Sequence, residues 1–137
     1  MKLPSSCHIL LGDDNEVIHQ VVKEAAEARG HKVTSAKTGA GTLARAIETQ
    51  PDLIVLDIMF PDVDGRDVLG ELKAEEKTAH IPVVMWSARP GRDADRRIVL
   101  ELGAEDYVEK NEAEHLIAKL DRVLLRLAET RDRSSAR

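Results

Sequence analysis

Aromatic side chains are nearly missing from this chain of 137 residues: Phe60, Trp86 and Tyr107 are the whole set. A packed core must therefore be aliphatic, built from Val, Ile, Leu and Ala. Cysteine is scarcer still. Cys7 stands alone, which excludes an internal disulfide and suits a reducing compartment. No apolar run approaches the roughly 18 residues of a membrane span. The opening MKLPSSCHILLGDDNE has only a short apolar run before acids appear, so it is not expected to act as a signal peptide. The apolar stretch that would precede a lipidated cysteine is absent as well. An excess of positive charge is also lacking. The net charge is -5, and a domain of that sign has no general affinity for a nucleic acid backbone. What remains is a globular balance of 42% hydrophobic and 33% charged residues, in a length that fits one domain. The expectation is a cytoplasmic domain that contacts neither nucleic acid nor membrane directly.

Short apolar runs alternate with longer periodic segments. HILLG (8–12) reads as a strand, followed by Val17, Ile18, Val21, Val22, Ala25 and Ala28 at helical spacing up to Gly30. HKVTSA (31–36) is a more polar strand, and TLARAIET (42–49) a short helix ended by Gln50-Pro51. LIVLD (53–57) is a strand; Gly65 to Ala74 is a helix with Val68, Leu69 and Leu72 on one face. IPVVMWSA (81–88) is a strand with its proline at the start, where a missing N–H is tolerated. Ala94, Ile98 and Leu102 form another helical stripe, DYVEK (106–110) a last strand, and Ile117, Leu120, Leu124 and Leu127 a final helix. Central strands that are continuous apolar runs belong to a parallel sheet covered on both faces. Strict alternation predicts an α/β fold: a doubly wound five-stranded parallel sheet, flavodoxin-like order 2-1-3-4-5, helices on both faces. The domain spans residues 1–129, and 130–137 is a polar tail.

Open α/β sheets bind ligands at the carboxyl ends of their strands. Here the first strand runs into Asp13 and Asp14, the third ends in Asp57, the fourth in Ser87 and the fifth in Lys110. Each has a plain structural reading: the acids can favour a helix N-terminus, Ser87 can be a strand-end hydroxyl, and Asp62 and Asp64 suit the turn before Gly65. Their convergence on one rim is more telling. Two carboxylates about 4 Å apart repel by about 4 kcal/mol at an effective dielectric of about 20, so three together call for a cation. Oxygen-only ligands in a small open site favour Mg²⁺. Beside a metal and the Lys110 ammonium, Asp57 is a candidate nucleophile towards a phosphoryl group.

LLGDDN, LIVLDIMFPDVDG, PVVMWSA and GAEDYVEK together resemble the four signature stretches of two-component response regulator receiver domains, over roughly residues 6–128. The resemblance implies phosphorylation of Asp57 by a sensor histidine kinase, a phosphotransfer protein or a small phosphodonor. It implies Mg²⁺ held by Asp14, Asp57 and the main-chain carbonyl of Met59, with Asp13 acting through water. Ser87, Lys110 and the main chain of Ala88 would hold the phosphoryl group. Ser87 and Tyr107 would act as the switch, although a half-buried Tyr at a strand edge needs no such role. Met59 and Arg89 would tune dephosphorylation. The output surface would be the fourth helix, fifth strand and fifth helix, meeting a downstream protein; Arg96, Arg97, Asp93 and Asp95 also lie where a weak homodimer could form. Trp86 reads as packing with an exposed flank. Met1 and the tail suit a stand-alone regulator.

A haloacid-dehalogenase-type phosphatase also uses a strand-end Asp, but needs a second acid two residues on, where Met59 stands. A flavodoxin-type FMN site is opposed by the acidic first loop GDDNE. A phosphate-independent receiver acting as a scaffold would be expected to lose one of the core residues, and none is lost. One departure is clear. The family usually has proline after the strand-end lysine, joined by a cis peptide; here Asn111 follows Lys110. A non-proline cis bond costs about 2.5–4 kcal/mol, and Asn111 can instead cap the last helix, with Glu114 completing a capping-box-like pair. Lys110 is still expected to reach the site. Lys110→Ala should therefore impair phosphorylation of Asp57 and the changes linked to it; a variant that is modified and responds like the wild type would refute this.

Overall fold

The computed structural model describes residues 7–87, 93–109, 118, 121–123 and 125–126. Five parallel strands form one sheet: β1 (His8–Gly12), β2 (Lys32–Ala36), β3 (Leu53–Asp57), β4 (Val83–Ser87) and β5 (Asp106–Glu109). Their order is β2-β1-β3-β4-β5, as the alternation of the sequence predicts. The helices between them are α1 (Glu16–Ala28), α2 (Gly39–Thr49), α3 (Gly65–Ala74) and α4 (Asp93–Glu101). Residues 118, 121–123 and 125–126 are helical. The four leucine and isoleucine positions expected to form the last helix's stripe, and the tail 130–137, lie outside the described residues.

Side-chain alternation along the strands divides the core in two. Leu10, Ile54, Leu56 and Met85 join Ala46 of α2, Leu69 of α3 and Val99 of α4 in one cluster. Ile9, Leu11, Val55, Val84 and Trp86 join Val22 and Ala26 of α1, and Val123, in the other. With every position of β3 and β4 buried, the central strands can carry no polar side chain until their ends, and there both change character. The core is aliphatic in bulk, yet Trp86 and Tyr107 are its largest fully buried side chains. They lie on β4 and β5.

Several boundaries shift from the sequence reading for identifiable reasons. Helix α2 starts at Gly39 rather than residue 42. Thr38 caps it by accepting the Gly41 N–H, and Gly39–Gly41 carry too little side chain to show a period. Strand β4 starts after Pro82, which has no N–H for the ladder, although its carbonyl accepts the Ile54 N–H at 3.0 Å. In α1 the buried stripe is His19, Val22 and Ala26. Val17 and Val21, counted as apolar stripe positions in the sequence, are 68% and 45% exposed. Six apolar positions exceed what one helix face can bury, and the polar His19 takes a core position because its ring meets the Asp13 carbonyl.

Gly65 fixes the junction of β3 and α3. Its N–H donates to the Ile58 carbonyl at 2.6 Å, and a β-carbon there would press into the Asp57 carbonyl oxygen and lie 2.8 Å from the Ile58 Cα. Both contacts are backbone, so the strand end itself would have to move. A β-carbon at Gly70, in the same helix, would meet nothing within 4 Å. Gly65→Ala should destabilise the domain by about 1–3 kcal/mol, whereas Gly70→Ala should be neutral or stabilising by up to about 1 kcal/mol. Urea unfolding of the two variants checks the contrast; equal effects would show that the close approach is not limiting.

Candidate functional site

The carboxyl ends of β1, β3 and β4 meet on one rim of the sheet. The chain leaves β1 at Gly12, whose missing side chain makes room for Thr42 of α2; a β-carbon there would lie 2.6 Å from Thr42 Oγ1. Asp13 follows, fully buried, its N–H donated to the Ala36 carbonyl at 3.0 Å. Asp14 is exposed. Asn15, not either acid, caps α1, its side-chain oxygen accepting the N–H groups of Val17 and Ile18. The helix-terminus reading of Asp13 and Asp14 thus has a better occupant one residue on. Glu16, in the first turn, pairs with Lys37; that hydrogen bond and charge hold its carboxyl below the usual range. It is therefore engaged outside the acidic rim.

Asp57 ends β3, only 2% exposed, with the Met59 N–H donating to its carboxylate at 3.0 Å. One oxygen from each of Asp13, Asp14 and Asp57 lies within 4.8 Å of the others. Burial of a carboxylate is costly unless partners compensate, and two of these three are buried. Ser87 is fully buried one residue further along β4, whose Trp86 is in register with Asp57. The donor set is all oxygen, negatively charged, and open towards solvent through Asp14. That chemistry fits a hard divalent cation of the Mg²⁺ type rather than a soft metal.

The loop after Asp57 is tied down on both sides. Met59 and Asp64 form an isolated β-bridge, and the Phe60 N–H donates to the Val63 carbonyl at 3.2 Å. Asp64 caps α3 and pairs with Arg66 at 2.6 Å. Asp62 accepts the Gly39 N–H at 3.2 Å, linking the loop to the start of α2. Both acids thus have the structural roles expected of turn residues. The Met59 side chain is 53% exposed beside the site.

Tyr107 is buried at 2%, not half-buried as a strand-edge residue would be. It packs in the larger core cluster opposite Met85, and no partner for its hydroxyl is found among the described residues. The Arg96 guanidinium of α4 lies 5.8 Å from the ring centroid and donates to the Tyr107 carbonyl at 3.2 Å. Arg96, one of the charges expected where a weak homodimer could form, is thus partnered within its own chain; Arg97 is exposed. The side chains of Asp93 and Asp95 lie outside the described residues, as do Ala88, Arg89, Lys110 and the Lys110–Asn111 peptide.

Two site neighbours escape the sequence reading. Trp86 is 1% exposed, with no exposed flank, and its indole N–H donates to the Asp13 carboxylate at 3.1 Å. His19 is buried with Nε2 against the Asp13 carbonyl. Strand alternation could have put Trp86 on the α1 side, but only the fold brings residues 73 positions apart into contact. For His19 the signal is a polar residue in register with Val22 and Ala26.

A family model described as response regulator receiver domain matches residues 9–121. The chain is 40% identical over 119 residues to the DNA-binding dual master transcriptional regulator RpaA of Synechocystis, covering 86% of this chain and 48% of that protein. It is 34% identical over 128 residues to the transcriptional regulatory protein AfsQ1 of Streptomyces coelicolor, covering 93% of this chain and 55% of that one. The chain thus spans about half the length of these curated relatives. Among solved structures, the receiver domain of Francisella response regulator 1452 superposes with a TM-score of 0.79 at 28% identity, covering 88% of this chain and 98% of that one. No helix among the described residues is long and apolar enough to cross a membrane.

Proposed function

Because the chain belongs to the response regulator receiver domain family, we propose that it is a phosphorylation switch whose acceptor is Asp57. The observation that carries this reading is the buried Asp57 carboxylate at the end of β3, within 4.8 Å of those of Asp13 and Asp14. In the proposed reaction one Asp57 oxygen attacks phosphorus as the bond to a phosphohistidine nitrogen or a small donor's oxygen breaks. Asp57 is held for this by the Met59 N–H on its carboxylate and by the close packing of Gly65 behind its carbonyl.

Asp14, Asp57 and the Met59 carbonyl would hold Mg²⁺, with Asp13 contributing through water. When bound, the ion would offset the charge of the cluster and of the phosphoryl oxygens. Ser87, Lys110 and the main chain of Ala88 would hold the transferred group. Ser87, moving towards it, would be felt by Tyr107 on the neighbouring strand. The Arg96 contacts with Tyr107 and Asp106 give that motion a route to the surface of α4 and β5, where a downstream protein would read it. The phosphoryl source would be a sensor histidine kinase or phosphotransfer protein in the cytoplasm.

Intact mass after incubation with acetyl phosphate and Mg²⁺ tests the reading. A single phosphoryl gain is expected, abolished by EDTA and by Asp57→Asn. No gain in folded protein, together with failure to bind beryllofluoride, would overturn it. The side chain of Met59 has no strong hydrogen-bonding group to hold and orient an attacking water, whereas the carboxamide of Asn has both a donor and an acceptor. Met59→Asn should therefore shorten the lifetime of the phosphorylated form, followed as loss of the mass gain with time; an unchanged decay would remove Met59 as a determinant.

A further inference from the structure

The Asp13 carboxylate is held in place from several elements. Its Oδ1 accepts the Asn15 N–H at 2.8 Å, and its Oδ2 accepts the indole N–H of Trp86 at 3.1 Å. Its backbone is fixed by the Ala36 carbonyl and by His19 Nε2. Trp86 reaches it from β4, through the cluster that also packs α1 against the sheet. Asp13 and Trp86 are both buried, at 0% and 1% exposure, so the contact is sheltered from competing water.

We propose that Trp86 is a positioning residue for divalent cation binding: its indole N–H fixes the plane of the Asp13 carboxylate in the orientation that meets the hydrated cation. This rests on the metal reading above. A carboxylate that is free to turn loses rotamer freedom when a ligand engages it. One already held by N–H donors on both oxygens loses little. Each carboxylate oxygen accepts more than one bond, so the indole contact orients the group without exhausting it. An indole N–H donates only, with no lone pair to compete for the metal and no ionisation near neutrality. An aliphatic side chain at this position would fill the same space but could not donate. Hydrogen bonds of this outer kind commonly account for 10–100-fold in metal affinity, on the order of magnitude seen across metal sites.

Trp86 is the only tryptophan, so its donor can be removed without altering its shape. Biosynthetic replacement by 3-benzothienylalanine exchanges the indole N–H for sulfur in a ring of nearly the same size. Isothermal titration with Mg²⁺ alone then compares this protein with the wild type and with Trp86→Phe, each checked for folding by circular dichroism. The expected result is an affinity about tenfold weaker in the isostere, with Trp86→Phe at least as weak. In an Asp13→Ala background, titrated to high Mg²⁺, the isostere should cause no further loss. Unchanged affinity in the folded isostere would overturn the proposal. So would an equal loss in the Asp13→Ala background, because Trp86 would then act by packing alone. Failure of the wild type to bind Mg²⁺ would be a different result: it would remove the metal site and the role of Trp86 with it.

Discussion

Mutual repulsion among three carboxylates at the end of a buried sheet is the constraint around which this domain is organised. Asp13 and Asp57 could have been placed in solvent, where their charges would be cheap to hold. They are instead almost wholly buried, and each receives N–H donors that offset the loss of water: Met59 for Asp57, and Asn15 and Trp86 for Asp13. These contacts hold the acids in place, close to one another at the rim. On the reading proposed above, a cation or a phosphoryl group at this rim would change its balance by several interactions at once. Much of the surrounding architecture keeps the acids from moving apart. Gly12 and Gly65 allow helices to approach the strand ends, and Asp62 and Asp64 fix the loop that follows Asp57.

The sequence exposes the parts of this arrangement that depend on local order. Apolar runs such as LIVLD and VVMWS mark buried strands because no polar residue can sit between two covered faces. Asp57 and Ser87 follow directly, since each is where such a run stops. Asp13 is legible for the same reason. The parts that depend on contacts distant in sequence are not. Nothing near Trp86 says that it will meet Asp13, and the aliphatic character of its neighbours suggests simple packing. His19 is hidden in a helix with more apolar positions than one face can bury. Tyr107 reads as an edge residue because the sequence shows its strand but not the Arg96 side chain lying over it. The start of α2 is illegible because Gly-Ala-Gly carries no hydrophobic period, although Thr38 supplies a cap.

The few aromatic residues also show how a small domain can combine packing with polar control. Trp86 and Tyr107 point to opposite faces of the sheet, and each joins a large apolar body to a polar group. On one face the indole N–H reaches the acidic rim. On the other the phenol ring lies in the core, while its backbone is held by α4. These polar contacts are ones that an aliphatic core alone could not supply.

The backbone of Tyr107 has a second consequence. Strand β5 closes the sheet, so the N–H and carbonyl of alternate residues face outward rather than towards β4. At Tyr107 both are occupied: the N–H by the Asp106 side chain at 2.7 Å and the carbonyl by Arg96 at 3.2 Å, with Arg96 and Asp106 paired at 3.4 Å. An open strand edge is a template for unwanted pairing and aggregation. Here one arginine and one aspartate blunt it, making this margin of the sheet a poor seed for intermolecular β-structure.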